Sequence, residues 1–143
     1  MIKIYTDGSC LGNPGNGGYA AILFYKDNSK TIKGAERNTT NNRMELKAVI
    51  EGLKAIKNKK IDLEIYTDSK YVHDGVKQYL KVWKNNGWKL SNKKEVKNRD
   101  LWEELDLLIY DFKQIKFNWV KGHSDNTLNE LVDKIARSEA SKL

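Results

Sequence analysis

The chain is poor in the residues that several large protein classes require. Cys10 is the only cysteine in 143 residues, so no intramolecular disulfide is available and no Cys/His spacing suited to zinc is present. Pro14 is the only proline, which leaves nothing to build a proline-rich linker. No apolar run approaches the roughly 20 residues of a membrane span. Near Met1 the order Ile2-Lys3-Ile4-Tyr5-Thr6 alternates toward Asp7 and lacks the apolar stretch of a secretory signal. Internal repeats, low-complexity tracts, a phosphate-binding P-loop and a nucleophile triad are also missing. These absences point to a soluble protein of a reducing, cytoplasmic compartment.

What is present suits a packed globule. Apolar residues make up 39% of the chain, with four Trp, seven Tyr and three Phe, enough for one domain over residues 1–143 with its own core. Lys and Arg number 26 against 19 Asp and Glu, a formal charge of +7. The excess favours a polyanionic partner, nucleic acid first, although lysines also serve solubility.

Periodicity orders the elements. Ile2 to about Thr6 reads as a strand, followed by a turn cluster, Gly12-Asn13-Pro14-Gly15-Asn16-Gly17-Gly18. Tyr19 to Tyr25 and Thr31 to Ala35 read as two more strands joined at Asp27-Asn28-Ser29. Leu46, Val49, Ile50, Leu53 and Ile56 recur at helical spacing from Asn42 onward. Leu63, Ile65 and Thr67 alternate as a fourth strand, and a helical stretch runs from Ser69 through Val72, Val76 and Leu80. Leu101, Leu105, Leu108 and Ile109 mark a further helix. Ile115, Phe117 and Trp119 form the last strand, and Leu128, Leu131, Val132 and Ile135 line a terminal helix. Strands separated by helices favour parallel pairing through right-handed crossovers, hence an α/β fold with a mixed sheet. Between Trp83 and Lys97, lysines interleave with Trp83 and Trp88, and Gly87 and the asparagines break any helix. This segment is expected to be a basic protruding loop.

Four carboxylates stand out by position. Asp7 and Asp68 each end a strand, Glu45 flanks the apolar stripe of the first long helix, and Asp133 flanks that of the last. Strand ends at the carboxyl edge of an α/β sheet are a usual place for ligands, and a carboxylate beside a buried face needs a partner such as a cation. Oxygen ligands suit Mg²⁺. Each acid also has a plainer reading. Asp7-Gly8 reads as a turn, Asn42 with Glu45 as a capping box, Asp68 as a helix cap, and Asp133 as an ion pair with Arg137. His123, in the polar run after Trp119, suits proton transfer near neutral pH or a surface position without a task.

Taken together, five runs resemble the bacterial-type (type 1) ribonuclease H family. They are Thr6-Asp7-Gly8-Ser9-Cys10-Leu11-Gly12-Asn13-Pro14-Gly15, Thr39-Thr40-Asn41-Asn42-Arg43-Met44-Glu45-Leu46, Thr67-Asp68-Ser69, Trp119-Val120-Lys121-Gly122-His123, and Asn129-Glu130 with Asp133. They stand in family order, and the likeness covers essentially the whole chain. It implies a mixed five-stranded sheet of order 3-2-1-4-5, strand 2 antiparallel, flanked by helices. It also implies an endonuclease that hydrolyses the RNA strand of RNA–DNA hybrids by a two-metal-ion mechanism, with little sequence specificity, leaving 5′-phosphate and 3′-hydroxyl ends.

By the same resemblance Asp7, Glu45, Asp68 and Asp133 are the metal-binding carboxylates, for two Mg²⁺ ions with Mn²⁺ as a substitute. His123 assists proton transfer or product departure. Cys10, Asn13, Asn41 and Asn42 contact the RNA strand in the minor groove, where 2′-hydroxyls distinguish RNA from DNA. Thr40, Arg43 and Asn98 lie near DNA-strand phosphates, and Trp83, Lys84, Trp88 and Lys89 grip the DNA backbone. Lys70 stands where many relatives carry Gln, and Asp125 where many carry Gly. The expected state is a monomer with no membrane association and no obligate protein partner. Competing readings are a resolvase or integrase of related fold, a non-catalytic hybrid-binding module, and a fragment of a larger polymerase.

Overall fold

The structure, a computed structural model, describes residues 1–121 and 127–143. Five strands form one sheet of order β3-β2-β1-β4-β5: β1 (Ile2–Leu11), β2 (Gly15–Tyr25), β3 (Asn28–Thr39), β4 (Leu63–Thr67) and β5 (Ile115–Trp119). β2 is antiparallel to both neighbours, while β1, β4 and β5 run parallel. Helices α1 (Asn41–Lys54), α2 (Lys70–Asp74), α3 (Leu80–Asn85), α4 (Arg99–Asp111) and α5 (Thr127–Ala140) complete the described fold, and a wider π-type stretch, Gly75–Tyr79, joins α2 to α3. The expected α/β class and strand order are what is found.

The main core lies against α1 and α4. Ile4, Ile65 and Phe117 from the sheet meet Leu46, Ile50 and Leu53 of α1 and Trp102 and Leu105 of α4. Burying side chains of this size at roughly 1.5–3 kcal/mol each makes this layer the chief source of stability. A smaller cluster, Ala20 and Ile22 against Val132 and Ala136, fixes α5 to the sheet's other side. Here Gly18 is required, since a Cβ on it would stand 2.1 Å from the Ala136 carbonyl oxygen.

The first hairpin differs from expectation. β1 does not end at Thr6 but continues to Leu11, and β2 begins at Gly15, with Cys10 opposite Gly17 and Leu11 opposite Asn16. The glycines there read as a turn because they lack strand propensity, yet small residues are what close packing against neighbouring elements demands. β3 is likewise longer, Asn28–Thr39. Asp7 therefore sits inside a strand rather than at its end.

Two helix starts also differ. Thr40 caps α1, its hydroxyl accepting from the Arg43 N–H at 3.3 Å, so Asn42 and Glu45 form no capping box. Ser69, not Asp68, caps α2 through the Val72 N–H at 3.1 Å. Both corrections release an acid, Glu45 or Asp68, from a merely local role.

Trp83 lies in α3 rather than in a loop. It stacks on Tyr79 at 5.8 Å and meets Trp102 edge-on at 5.2 Å.

Candidate active site

The pairing of β1 with β4 stops at Thr6 and Thr67. Beyond that point β1 continues beside β2, while the chain after β4 turns away at Asp68 into α2. The two strands part there, and Asp7 and Asp68, each one residue past the last pair, flank the gap. Such partings between parallel strands are where α/β sheets bind ligands.

Glu45 arrives from α1 through a close approach. A Cβ at Gly8 would lie 2.3 Å from the Met44 carbonyl carbon and 2.4 Å from the Glu45 nitrogen. Only glycine lets the first turns of α1 settle onto β1 here, and that contact sets Glu45 beside Asp7. Asp7, Glu45 and Asp68 each present a carboxylate oxygen, all within 4.8 Å of one another. Together with Ser9, Asn41, Asn42, Ser69, Asn129, Glu130 and Asp133, among others, they line a cleft of about 340 Å³.

The electrostatics of this cluster are unfavourable without a counter-charge. Asp7 is 2% exposed, and burial first, then Glu45 and Asp68, pushes its carboxyl far above the ordinary carboxylate range. Glu45 is also raised, chiefly by burial, with Asp68 and Asp133 adding to the effect. Glu45 Oε2 is shielded from solvent and has no hydrogen-bond partner among the described residues. Like charges packed together at this depth bind either a proton or a cation. The donor set is all oxygen, partly buried and open on one side, which fits a hard divalent cation.

Asp133 faces the same cleft from α5 and also pairs with Arg137 at 2.9 Å. Its expected ion pair and its place beside the other acids are thus both present. His123 and Asp125 fall within residues 122–126, outside the described residues.

The expected substrate contacts fall into groups. Asn41 and Asn42 open α1 at the cleft wall, and the Asn41 N–H donates to Asn13 Oδ1 at 3.2 Å. Cys10 is half-buried, with Sγ 3.4 Å from the Gly15 and Thr39 carbonyl oxygens. Arg43 reaches Asp100 through paired hydrogen bonds of 3.0 and 2.7 Å and Asn98 Oδ1 at 3.3 Å. Thr40, Arg43 and Asn98 are thereby set near one another at the α1–α4 boundary, although Arg43 already holds an internal anion.

Trp83 and Trp88 both pack on the main core. Lys84 pairs with Asp106 at 3.2 Å, whereas Lys89, Lys93 and Lys94 are exposed. Ser9, Ser69, Asn129 and Glu130 do not stand out in the sequence as site residues. Their place in the runs that carry Asp7, Asp68 and Asp133 is the signal that points to them.

The RNase H family profile matches residues 1–141. The chain belongs to the RNase H family. A ribonuclease H of Francisella philomiragia is 55% identical over 142 residues, covering 99% of this chain and 92% of the relative. One from Francisella tularensis subsp. novicida is 53% identical with the same coverage. Among solved structures, LC9-RNase H1, a type 1 RNase H with the type 2 active-site motif, superposes with a TM-score of 0.88 at 28% identity. That match covers 99% of this chain and 72% of the other. As an RNase H the chain is a metal-dependent hydrolase of the endonuclease class that acts on the RNA strand of RNA–DNA hybrids.

Proposed function

We propose that Asp7, Glu45, Asp68 and Asp133 hold two Mg²⁺ ions, replaceable by Mn²⁺, and that RNA-strand hydrolysis of a hybrid takes place over them. The observation that carries this reading is the convergence of the Asp7, Glu45 and Asp68 carboxylates, with Glu45 Oε2 unpartnered among the described residues, in a cleft walled by Asn41 and Asn42. Bound there, the ions would supply Lewis acidity and neutralise charge developing at the reacting phosphodiester.

The chain's own residues do the rest. Asp7 and Glu45, desolvated and held by β1 and α1, need no reorganisation as charge develops. The side-chain amides of Asn41 and Asn42, with Asn13 and Cys10 nearby, read 2′-hydroxyls of the RNA strand by short polar contacts. Thr40, Arg43 and Asn98 receive a phosphate of the DNA strand, and Trp83, Lys84, Trp88 and Lys89 steady its backbone. His123 handles the proton of water or of the leaving 3′ oxygen. The products are 5′-phosphate and 3′-hydroxyl ends. The enzyme acts as a cytoplasmic monomer, one domain over residues 1–143 with a basic protrusion around residues 83–97, and needs no obligate protein partner.

Two measurements test this reading. Calorimetric titration of the protein with Mn²⁺ should give two equivalents with hybrid bound, and product-end analysis should find only 5′-phosphates. One equivalent would reject the second ion, and 3′-phosphate ends would reject the mechanism.

The basic segment carries its own prediction. Replacing Lys89, Lys93 and Lys94 by Ala should weaken hybrid binding and flatten the slope of log affinity against log salt, by about 0.7–0.9 for each phosphate no longer neutralised. An unchanged slope would mean that these exposed lysines touch no phosphate.

A further inference from the structure

Several cations around the cleft are matched inside the protein. Arg43 is taken by Asp100, Lys84 by Asp106 and Arg137 by Asp133. Lys70 is different. It is exposed, and among the described residues no carboxylate pairs with it. Its ammonium instead lies over the Trp119 ring, 5.4 Å from the centroid. An aromatic face orients a cation without neutralising it, so the positive charge of Lys70 is left available.

The platform is itself fixed to the site. Trp119 ends β5 opposite Thr67, and its Nε1 donates to the Asp68 carbonyl oxygen at 3.1 Å. The ring is thus tied to the residue that supplies the third carboxylate. Although Trp119 is 41% exposed, it is held in place. Lys70, two residues after Asp68, thus has a fixed aromatic face on which its ammonium rests.

Lys70 lines one depression and directly follows the residues that line another. The latter is the carboxylate cleft, bounded here by Asp68 and Ser69. The former is a groove of about 260 Å³ lined by Lys70, Tyr71, Asp74, Gly75, Tyr79 and Trp83, which leads toward α3 and the basic segment. A nucleic-acid backbone lying over the carboxylates and reaching that segment passes Lys70. Its phosphates there meet a cleft carrying Asp7, Glu45, Asp68, Glu130 and Asp133, so a cation beside it offsets part of the repulsion that bound metal does not.

We infer that Lys70, held by Trp119, pairs with a phosphodiester of the strand lying over the carboxylates, next to the one that is cut, and sets how firmly that strand is held. The inference rests on the hybrid-cutting reading above.

Its test is hybrid binding by fluorescence anisotropy over a range of NaCl concentrations, with chelator present, for the unaltered protein, Lys70→Gln and Lys70→Arg. Steady-state cleavage is measured in parallel. Lys70→Gln should weaken binding about three- to fivefold at low salt, the upper end for an exposed charge pair. It should flatten the salt slope by about 0.7–0.9, the value for one neutralised phosphate, and raise KM more than it lowers kcat, with Tm unchanged. Lys70→Arg should keep the slope of the unaltered protein. Equal affinity and slope for Lys70→Gln and the unaltered protein would overturn the inference. Failure of the unaltered protein to cut hybrid would instead count against the parent reading, while the binding data still decide for or against Lys70.

Discussion

Asp7→Asn should abolish cleavage and, at the same time, stabilise the metal-free protein. The two effects share one cause. Asp7 is almost wholly buried among Glu45, Asp68 and Asp133, and its carboxyl is raised by that burial and by those charges. Asn keeps the shape and the acceptor for the Gly8 N–H, which Asp7 Oδ1 now receives at 2.9 Å, but carries no charge. The loss in kcat should be about 10³-fold or more, as for other preorganised charged groups at a reaction centre. Without metal, relief of a poorly compensated buried group should add about 1–3 kcal/mol of stability.

The sign of the pH dependence follows. A carboxyl whose folded pKa lies above its unfolded value stabilises the fold fully below the unfolded pKa, near 4. That contribution is lost as pH rises toward the folded pKa. Metal-free unaltered protein should therefore lose stability from about pH 4 upward, and Asp7→Asn should show a flatter profile. Urea unfolding across pH in chelator measures this directly. A destabilised Asp7→Asn protein would mean that Asp7 serves the fold rather than the cation.

Gly8→Ala should damage fold and activity together. The added Cβ would meet the Met44 carbonyl carbon, the Met44 oxygen and the Glu45 nitrogen at 2.3–2.7 Å, all backbone atoms of α1. Neither β1, paired with β2 at Gly8, nor α1, seated on the core, yields easily. The cost should reach about 3 kcal/mol or more, beyond ordinary overpacking. Any relief must lift the start of α1 away from β1, carrying Glu45 with it. Displacements near 1 Å at such centres cost about 10²-fold in rate.

Gly87→Ala is the matched comparison. At φ +65 with nothing within 4 Å, it should cost only about 1–2 kcal/mol of backbone strain and spare kcat. Thermal unfolding and kcat for both variants check the pair. If Gly8→Ala kept the unaltered protein's Tm and rate, the close approach would not be what places Glu45.

These two residues also show how far the sequence can be read. Asp7, Glu45, Asp68 and Asp133 are recognisable because the motifs around them stand in order; the helices between β1, β4 and β5 point to parallel pairing, while the full strand order comes from the family resemblance. Gly8 is visible only as part of a motif. Its need for a bare backbone comes from Met44, 36 positions away, and no local pattern records that contact. The glycines at Gly15, Gly17 and Gly18 mislead for the same reason. Their strand conformation is secured by cross-strand partners and by Thr39, Met44 and Ala136, not by propensity. Trp83 reads from its basic neighbours as a nucleic-acid grip, and nothing in that segment shows that its ring also packs on Tyr79 and Trp102. Periodicity along one segment does not reveal which distant ring covers it.

The most direct test of the central claim is cleavage of an RNA–DNA hybrid labelled on either strand, beside RNA duplex, DNA duplex and single-stranded RNA, in Mg²⁺ and again with chelator. The expected result is cutting of the hybrid's RNA strand alone, abolished by chelator and by Asp68→Asn while hybrid binding persists. Folded protein that binds hybrid but cuts no strand in Mg²⁺ or Mn²⁺ would contradict it and leave a binding module in its place.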